Sequence, residues 1–188
     1  MKKINLAILF SLLSFMTFAQ SLDVVIKQDG KEIQPVNNVY ELAKTPFSFV
    51  ISGVDIEGFL VGATTNEEVY EEAVAPFNPD VQWFQNTGMA EELFNPYKEL
   101  YLMDQAPSFW YFVDAKDHRF DKNAKGDVNQ WKGTRTITRL YDIIIDEAVA
   151  LKDFEGSVYV LMYDPEYDED FDMVGKENLF QAQLKFKD

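Results

Sequence analysis

The sequence predicts a mainly β fold: an antiparallel β-sandwich, immunoglobulin-like or jelly-roll-like, with two to four short helices. Apolar residues recur mostly with the period-two spacing of strands, and short segments rich in Gly, Pro, Asn and Asp separate the runs. No repeat of fixed period and no low-complexity linker divides the 188 residues. A chain of this length that is 47% hydrophobic is typical of one globular domain.

The first strands are predicted close to the start of the chain. Leu22–Gln28 alternates loosely, and Asp29-Gly30 is the dipeptide that most strongly indicates a tight hairpin turn, here leading into residues 31–34. Asn38–Glu41 matches a helix capping box, which predicts a single helical turn at that point.

A second hairpin and two helices are expected in the next part of the chain. Phe47–Ser52 and Ile56–Ala63 are β-rich runs that a short turn separates, so they are predicted to pair. Thr65 begins another capping box, which predicts a helix through Val74 that Pro76 ends. Asn95-Pro96 favours the start of a further helix, through Met103.

The second half of the chain reads mostly as strands. Pro107–Val113 and Ser157–Tyr163 are continuous apolar runs, which predicts strands that are buried on both faces. Trp131–Tyr141 begins with alternation, whereas Asp142–Ala150 is compatible with either strand or helix. The last strand is the most regular, because apolar and polar residues alternate from Phe180 to Lys187.

The N-terminal residues have the three-part pattern of a secretory signal peptide. Lys2 and Lys3 precede the apolar run Ile4–Met16, and small residues at Thr17 and Ala19 fit a cleavage site. We therefore expect residues 1–19 to be removed, leaving residues 20–188 as one domain. The short basic start predicts export by a bacterium, to the periplasm or the extracellular space. No later apolar run is long enough for a membrane span in the mature chain.

Composition excludes several classes of function. A net charge of -15 argues against nucleic-acid binding, because phosphates require a basic surface. The absence of cysteine excludes thiol catalysis and zinc–thiolate sites, and a single histidine excludes sites that need several imidazoles. No G-x-S-x-G motif is present, so an enzyme is not favoured and no cofactor is required.

The first candidate ligand site is a concentration of basic side chains. His118, Arg119, Arg135 and Arg139 include the one imidazole and all three guanidinium groups of this acidic chain. Alternation predicts Arg135 and Arg139 on one strand face, where they would bind a carboxylate or sulfate in bidentate fashion. The alternative is that these side chains pair with neighbouring carboxylates and serve only the fold.

Two tryptophans form the second candidate. Trp83 and Trp131 are flanked by polar residues, so they are candidates for exposed platforms that stack on sugar rings. The alternative is that they belong to the hydrophobic core.

An acidic run between the last two predicted strands is the third candidate. Its carboxylates would suit Ca²⁺, the one metal that the sequence suggests. The candidate ligands are Asp164, Glu166, Asp168, Asp170 and Asp172. The alternative is a solvated loop whose charge discourages pairing of strand edges.

Together these observations favour an exported bacterial module that is not an enzyme and that recognises a protein or a glycan. Two rival functions remain open. A small secreted hydrolase would need only two carboxylates, and the sequence offers many. An accessory subunit of an envelope assembly would instead show a contiguous exposed apolar patch.

Overall fold

The computed structural model describes residues 21–56, 58–85, 99–102, 108–111, 121–122, 130–142 and 147–188. Thirteen strands account for most of these residues, so the fold is mainly β. In chain order the strands are β1 (Ser21–Gln28), β2 (Lys31–Glu32), β3 (Val39–Ala43), β4 (Phe47–Val54), β5 (Gly58–Thr64), β6 (Glu99–Leu102), β7 (Ser108–Tyr111), β8 (Asp121–Lys122), β9 (Gln130–Ile137), β10 (Arg139–Asp142), β11 (Glu147–Ala150), β12 (Ser157–Tyr167) and β13 (Met173–Lys187).

The first five-stranded sheet has the order β2-β1-β4-β9-β8, and all of its pairs are antiparallel. The turn between β1 and β2 is the predicted one. Asp29 and Gly30 both have positive φ angles, 51° and 75°. Positive φ angles at both central residues are typical of the tight turns whose twist matches that of a hairpin. Asp-Gly adopts such angles readily, so the dipeptide predicts the turn.

The second five-stranded sheet has the order β3-β13-β12-β5-β7. It is mixed, because β3 runs parallel to β13 while the other pairs are antiparallel. A separate three-stranded sheet has the order β11-β10-β6, and its β6–β10 pair is also parallel.

The main hydrophobic core contains side chains from both five-stranded sheets. Ile26 of β1 and Phe49 of β4 are fully buried in it, together with Val160 of β12 and Leu184 of β13. Because the side chains of a strand alternate, the opposite face of β12 is free to build a second core. Leu161 and neighbouring residues of β12 do so, as the continuous apolar sequence of this strand predicted.

The second core lies between β5, β12 and a short helical layer. Helix α1 (Glu67–Val74) begins at Asn66, whose side chain accepts hydrogen bonds from the N–H groups of Glu68 and Val69. The following turn α2 (Gln82–Gln85) contributes Trp83 and Phe84 to this core. The helix predicted to begin at Thr65 is therefore confirmed, with Asn66 as its cap.

Three local expectations are corrected. Asn38–Glu41 forms no helical turn, because Asn38 belongs to a turn with positive φ and Tyr40 lies in β3, which pairs with β13. Strands β4 and β5 do not pair with each other: the short connection between them leads from one five-stranded sheet to the other. Residues 99–102, expected in a helix, form β6.

Helices are few in the part of the chain that the structure describes. Only α1 is longer than one turn; α2 and the 3₁₀ turn Leu151–Asp153 are the other helical segments there. Since α2 and Leu151–Asp153 are single turns, α1 is the one full helix in this part of the chain, and the expectation of two to four short helices is not matched. None of the helices within the described ranges is long and apolar enough to cross a membrane.

Candidate functional site: the tip of the β12–β13 hairpin

Of the four predicted basic ligand residues, the structure describes Arg135 and Arg139. His118 and Arg119 lie outside the described residues. Strand β9 ends at Ile137 and β10 begins at Arg139, and this interruption breaks the alternation on which the prediction rested. Arg135 is buried, 8% exposed, whereas Arg139 is exposed. The unbroken alternation that predicted both guanidinium groups on one strand face therefore does not extend from Arg135 to Arg139.

The predicted tryptophan platform is not formed by Trp83. Its side chain is only 1% exposed and belongs to the second core, because α2 directs it against β5. The backbone of Trp131 lies in β9 opposite Gly53, and its side chain is outside the described part of the structure.

All five predicted metal ligands lie on one hairpin, formed by β12 and β13. Asp164 and Glu166 belong to β12, whereas Asp168, Asp170 and Asp172 belong to the loop that joins the strands. We refer to Tyr167–Val174 as the hairpin tip. It projects from a long ladder, since β12 has 11 residues and β13 has 15.

The loop is held by Asp168. One carboxylate oxygen of Asp168 accepts hydrogen bonds from the backbone N–H groups of Asp170 and Asp172, both at 2.9 Å. The backbone N–H of Asp168 donates to the carbonyl of Asp172 at 3.0 Å, and Phe171 has a positive φ of 64°. A short acidic side chain is suited to this role because it mimics a backbone turn. The carboxylate of Asp168 is therefore already engaged in hydrogen bonds within the loop.

The other carboxylates are spread along the strands. Asp164 lies directly opposite Glu177 on β13, and Glu166 lies opposite Gly175. Burial raises the pKa of Asp164 above its ordinary value, and the charges of Glu177 and Glu166 raise it further. Within the described residues, which include the whole acidic run, no three such side chains form a group suited to a metal ion.

The hairpin tip carries most of the exposed large apolar side chains on the described surface. Phe171 is 84% exposed, Val174 55% and Tyr167 39%. The fourth, Val36, lies elsewhere and is 73% exposed. Exposed aromatic residues in a ring of charge are typical of protein interfaces, where aromatic anchors are enriched.

The base of the hairpin is fixed to the helical layer. The Nζ atom of Lys176 lies 5.7 Å from the ring centre of Phe84 and 2.5 Å from the Oδ1 atom of Asn178. The side-chain amide of Asn178 donates to the carbonyl of Val74, at the end of α1. Burial lowers the pKa of Lys176. These contacts give the tip a rigid support.

Sequence reasoning identified the acidic residues of this hairpin but missed its apolar ones. The available signal was Phe171, an aromatic residue in the middle of a charged turn, where no core can receive it. The strand was also expected to begin only near Phe180, because residues 173–179 contain Gly175 and two charges and do not alternate.

No family model, no curated protein and no solved structure matches the chain.

Proposed function

We propose that this chain is an exported bacterial binding module, not an enzyme, that recognises a partner protein through its hairpin tip. The observation that carries the proposal is the exposure of three large apolar side chains, Tyr167, Phe171 and Val174, within eight residues of the chain. Leaving large apolar side chains in water has no benefit for folding, and such clusters mark interaction sites on protein surfaces. The anchored base of the hairpin lowers the entropy lost when the tip engages a partner.

The charge around the tip supports a basic partner. Asp164, Glu166, Asp168, Glu169, Asp170 and Asp172 surround the apolar residues within one short segment. Complementary charge speeds association and disfavours wrong partners, so a surface rich in lysine or arginine fits this site. The tryptophans were the candidates for stacking on sugar rings, and Trp83 is buried. The exposed aromatic residue at the apex of the hairpin is a phenylalanine instead, so a protein partner is favoured over a glycan.

We further propose that the domain is an immunoglobulin-like sandwich. In that fold, strands A, B, E and D form one sheet, and strands G, F and C form the other, to which C′ is added in variable-type domains. The neighbours β1-β4-β9-β8 fit A-B-E-D, and β13-β12-β5-β7 fit G-F-C-C′. The strand order supports this assignment over a jelly roll.

This assignment supports the binding role of the hairpin tip by analogy. The β12–β13 connection takes the place of the F–G loop, which variable domains use for recognition. Fold alone does not fix function, so the proposal rests on the exposed side chains, with the strand order as support.

Export by the N-terminal 19 residues remains part of the proposal. In two grooves, the described lining residues include one acidic residue each, which does not favour the rival hydrolase. One groove of about 470 Å³ is lined in part by Glu41, and another of about 400 Å³ is lined in part by Asp23. Carboxylate-based glycoside hydrolysis needs two carboxylates that flank one bond.

The test compares three affinity columns that carry wild-type chain, Phe171→Ser or Val36→Ser. Proteins from the envelope and the culture medium of the source organism are passed over each column and quantified by mass spectrometry. We expect at least one protein to be retained by wild type and by Val36→Ser and to be lost, by tenfold or more, on Phe171→Ser. The same profile on all three columns contradicts the proposal, as does a ligand that proves to be only a glycan.

A further inference from the structure

Beside the hairpin tip, one edge of strand β13 has no strand partner among the described residues, and we refer to it as the free edge. On one side β13 pairs with β12 along nearly its whole length, with irregularities in register at Val174 and Leu179. On the other side β3 pairs only with Gln183–Lys187. Among the described residues, none forms a backbone hydrogen bond with the outer edge of Met173–Gln181. This stretch of nine residues extends about 30 Å.

The edge is left free because the chain turns away before β3 begins. Asn37 and Asn38 both adopt positive φ angles, 53° and 62°, so the polypeptide does not continue along β13 toward the tip. The N–H of Gln183 donates to the carbonyl of Asn38, which is the last contact of this kind. Because backbone groups alternate along a strand, the N–H of Gln181 points to the same, unpaired side.

A groove lies along this edge. Its volume is about 400 Å³, and it is lined by β1 at Leu22–Val24, by Asn38 and Tyr40, and by β13 at Asn178–Gln181. It therefore occupies the line on which β3 would continue. A strand added at this position would be seated between the two five-stranded sheets.

Acidic side chains lie in and beside the groove, and Lys176 is the one basic residue of Met173–Gln181. Asp23 lines it, and Glu177 lies next to Asn178 on β13. Burial raises the pKa of the Tyr40 hydroxyl, and the charges of Asp23 and Glu32 raise it further. The acidic hairpin tip adjoins the other end of the free edge.

We infer that an extended segment of a partner protein, bearing lysine or arginine, adds to β13 as a strand along Met173–Gln181, in line with β3. Strand addition of this kind draws its affinity from backbone hydrogen bonds and its specificity from alternate side chains. The inference rests on the proposed function, and it names the conformation and charge of the segment that the binding module recognises.

A second copy of this chain is a poorer occupant than a basic segment. Each copy carries a net charge of -15, which opposes association. In a symmetric antiparallel pairing of two β13 edges, a residue at the centre faces its own copy. Near the middle of the free edge that residue would be Lys176 or Glu177, and either places like charges opposite each other.

The test uses a nine-residue peptide of alternating lysine and valine. A matched peptide is N-methylated at every residue, which keeps the charge but removes the backbone N–H donors from both edges. At 150 mM salt, where long-range attraction is screened, we expect the methylated peptide to bind at least tenfold more weakly to the full chain. We also expect the unmethylated peptide to slow hydrogen exchange at Gln181.

Equal affinity of the two peptides, absence of binding, or unchanged exchange at Gln181 would overturn the inference. Such a result would not refute the proposed function. That function is tested by the column comparison at Phe171 and Val36, which does not depend on strand addition. Loss of the Phe171 dependence on the columns would instead remove the basis of both proposals.

Discussion

The indole ring of Trp83 packs against the α-carbon of Gly62 in β5, and a Cβ atom at position 62 would overlap that ring. Trp83 is fully enclosed by the second core and has little room to move. The glycine is therefore required by contact with a neighbouring side chain and not by its own backbone angles. Position 62 fixes how closely the helical layer approaches the sheet that carries the hairpin.

Gly62→Ala is expected to lower the free energy of unfolding by about 3 kcal/mol, because a rigid, buried ring must shift to admit one methyl group. Urea unfolding followed by tryptophan fluorescence measures this loss. Gly175→Ala is the matched control. Its Cβ would lie 2.5 Å from a carboxylate oxygen of Glu166, an exposed side chain that can rotate away. We expect a change within about 0.5 kcal/mol for the control, and an equal loss in both variants would contradict the explanation.

The Tyr163 hydroxyl is expected to contribute little to stability. Both this hydroxyl and the indole N–H of Trp83 are buried without a hydrogen-bond partner of ordinary geometry among the described residues. Burial also raises the pKa of Tyr163 above that of a free tyrosine. A buried polar group without a good partner costs stability, so Tyr163→Phe should leave the melting temperature unchanged or raise it.

Tyr159→Phe serves as the comparison for Tyr163→Phe. The Tyr159 hydroxyl accepts a hydrogen bond from the side-chain amide of Gln183 at 3.4 Å. Its removal should cost about 1 kcal/mol in thermal or urea unfolding. If Tyr163→Phe lowered the free energy of unfolding by about 2 kcal/mol or more, the Tyr163 hydroxyl would have to make a good hydrogen bond, and the prediction would be wrong.

Asp164→Asn is expected to stabilise the chain at neutral pH. Burial and the charge of Glu177 raise the pKa of Asp164, so the folded chain holds this proton more tightly than the unfolded chain does. At a pH above the pKa of Asp164 in the folded chain, its ionised carboxylate therefore lowers the free energy of unfolding. Acidification protonates the carboxyl group and removes this destabilisation. We expect a gain of about 0.5 kcal/mol at pH 7, typical of relieving a cross-strand pair of like charges.

The gain from Asp164→Asn should vanish below pH 3, where the wild-type carboxyl is protonated as well. Thermal unfolding at the two pH values measures the difference. Asp170→Asn, on the exposed loop, is the control and should change little at either pH. A gain in Asp164→Asn that persists unchanged at pH 3 would show that charge is not its origin.

Gln28 is expected to be one of the most sensitive polar residues. Its side-chain amide donates to the carbonyls of Ala43 and Thr45, each at 3.0 Å, and its Oε1 atom accepts from the N–H of Ala43 at 2.8 Å. These bonds join the end of β1 to the segment that crosses from β3 to β4. Gln28→Leu should lower the free energy of unfolding by about 2 kcal/mol, because these backbone groups lose their partner.

The control for Gln28→Leu is Gln34→Leu. The Gln34 amide is exposed and donates a hydrogen bond to the carboxylate of Glu32 at 2.6 Å. Chemical denaturation of both variants should show a loss confined to Gln28→Leu. Similar midpoints for Gln28→Leu and wild type would mean that the buried amide network is dispensable.

The local features of the fold were predictable where a short signal and the tertiary structure agree. Asp29-Gly30 formed its hairpin turn, the helix after Thr65 formed, and the apolar alternation from Phe180 to Lys187 marked a strand. Each of these depends on neighbours in sequence. The same kind of reasoning failed at Asn38–Glu41, where pairing with β13 outweighed a helix-capping pattern.

The candidate site was only half predictable for a related reason. The carboxylates from Asp164 to Asp172 are visible in the sequence as a charged run. The exposure of Phe171 and the free edge of β13 are not visible there, because both depend on where distant strands end. Burial of Trp83 likewise follows from its contact with Gly62, twenty-one residues away.

The most direct test of the binding role places the photoreactive residue p-benzoylphenylalanine at position 171 and, separately, at position 36. Both native side chains are exposed, so the two chains differ in location and not in accessibility. After irradiation of cells of the source organism, we expect a discrete protein adduct from position 171 and none from position 36. No adduct from position 171, or the same adducts from both positions, would contradict recognition of a protein by the hairpin tip.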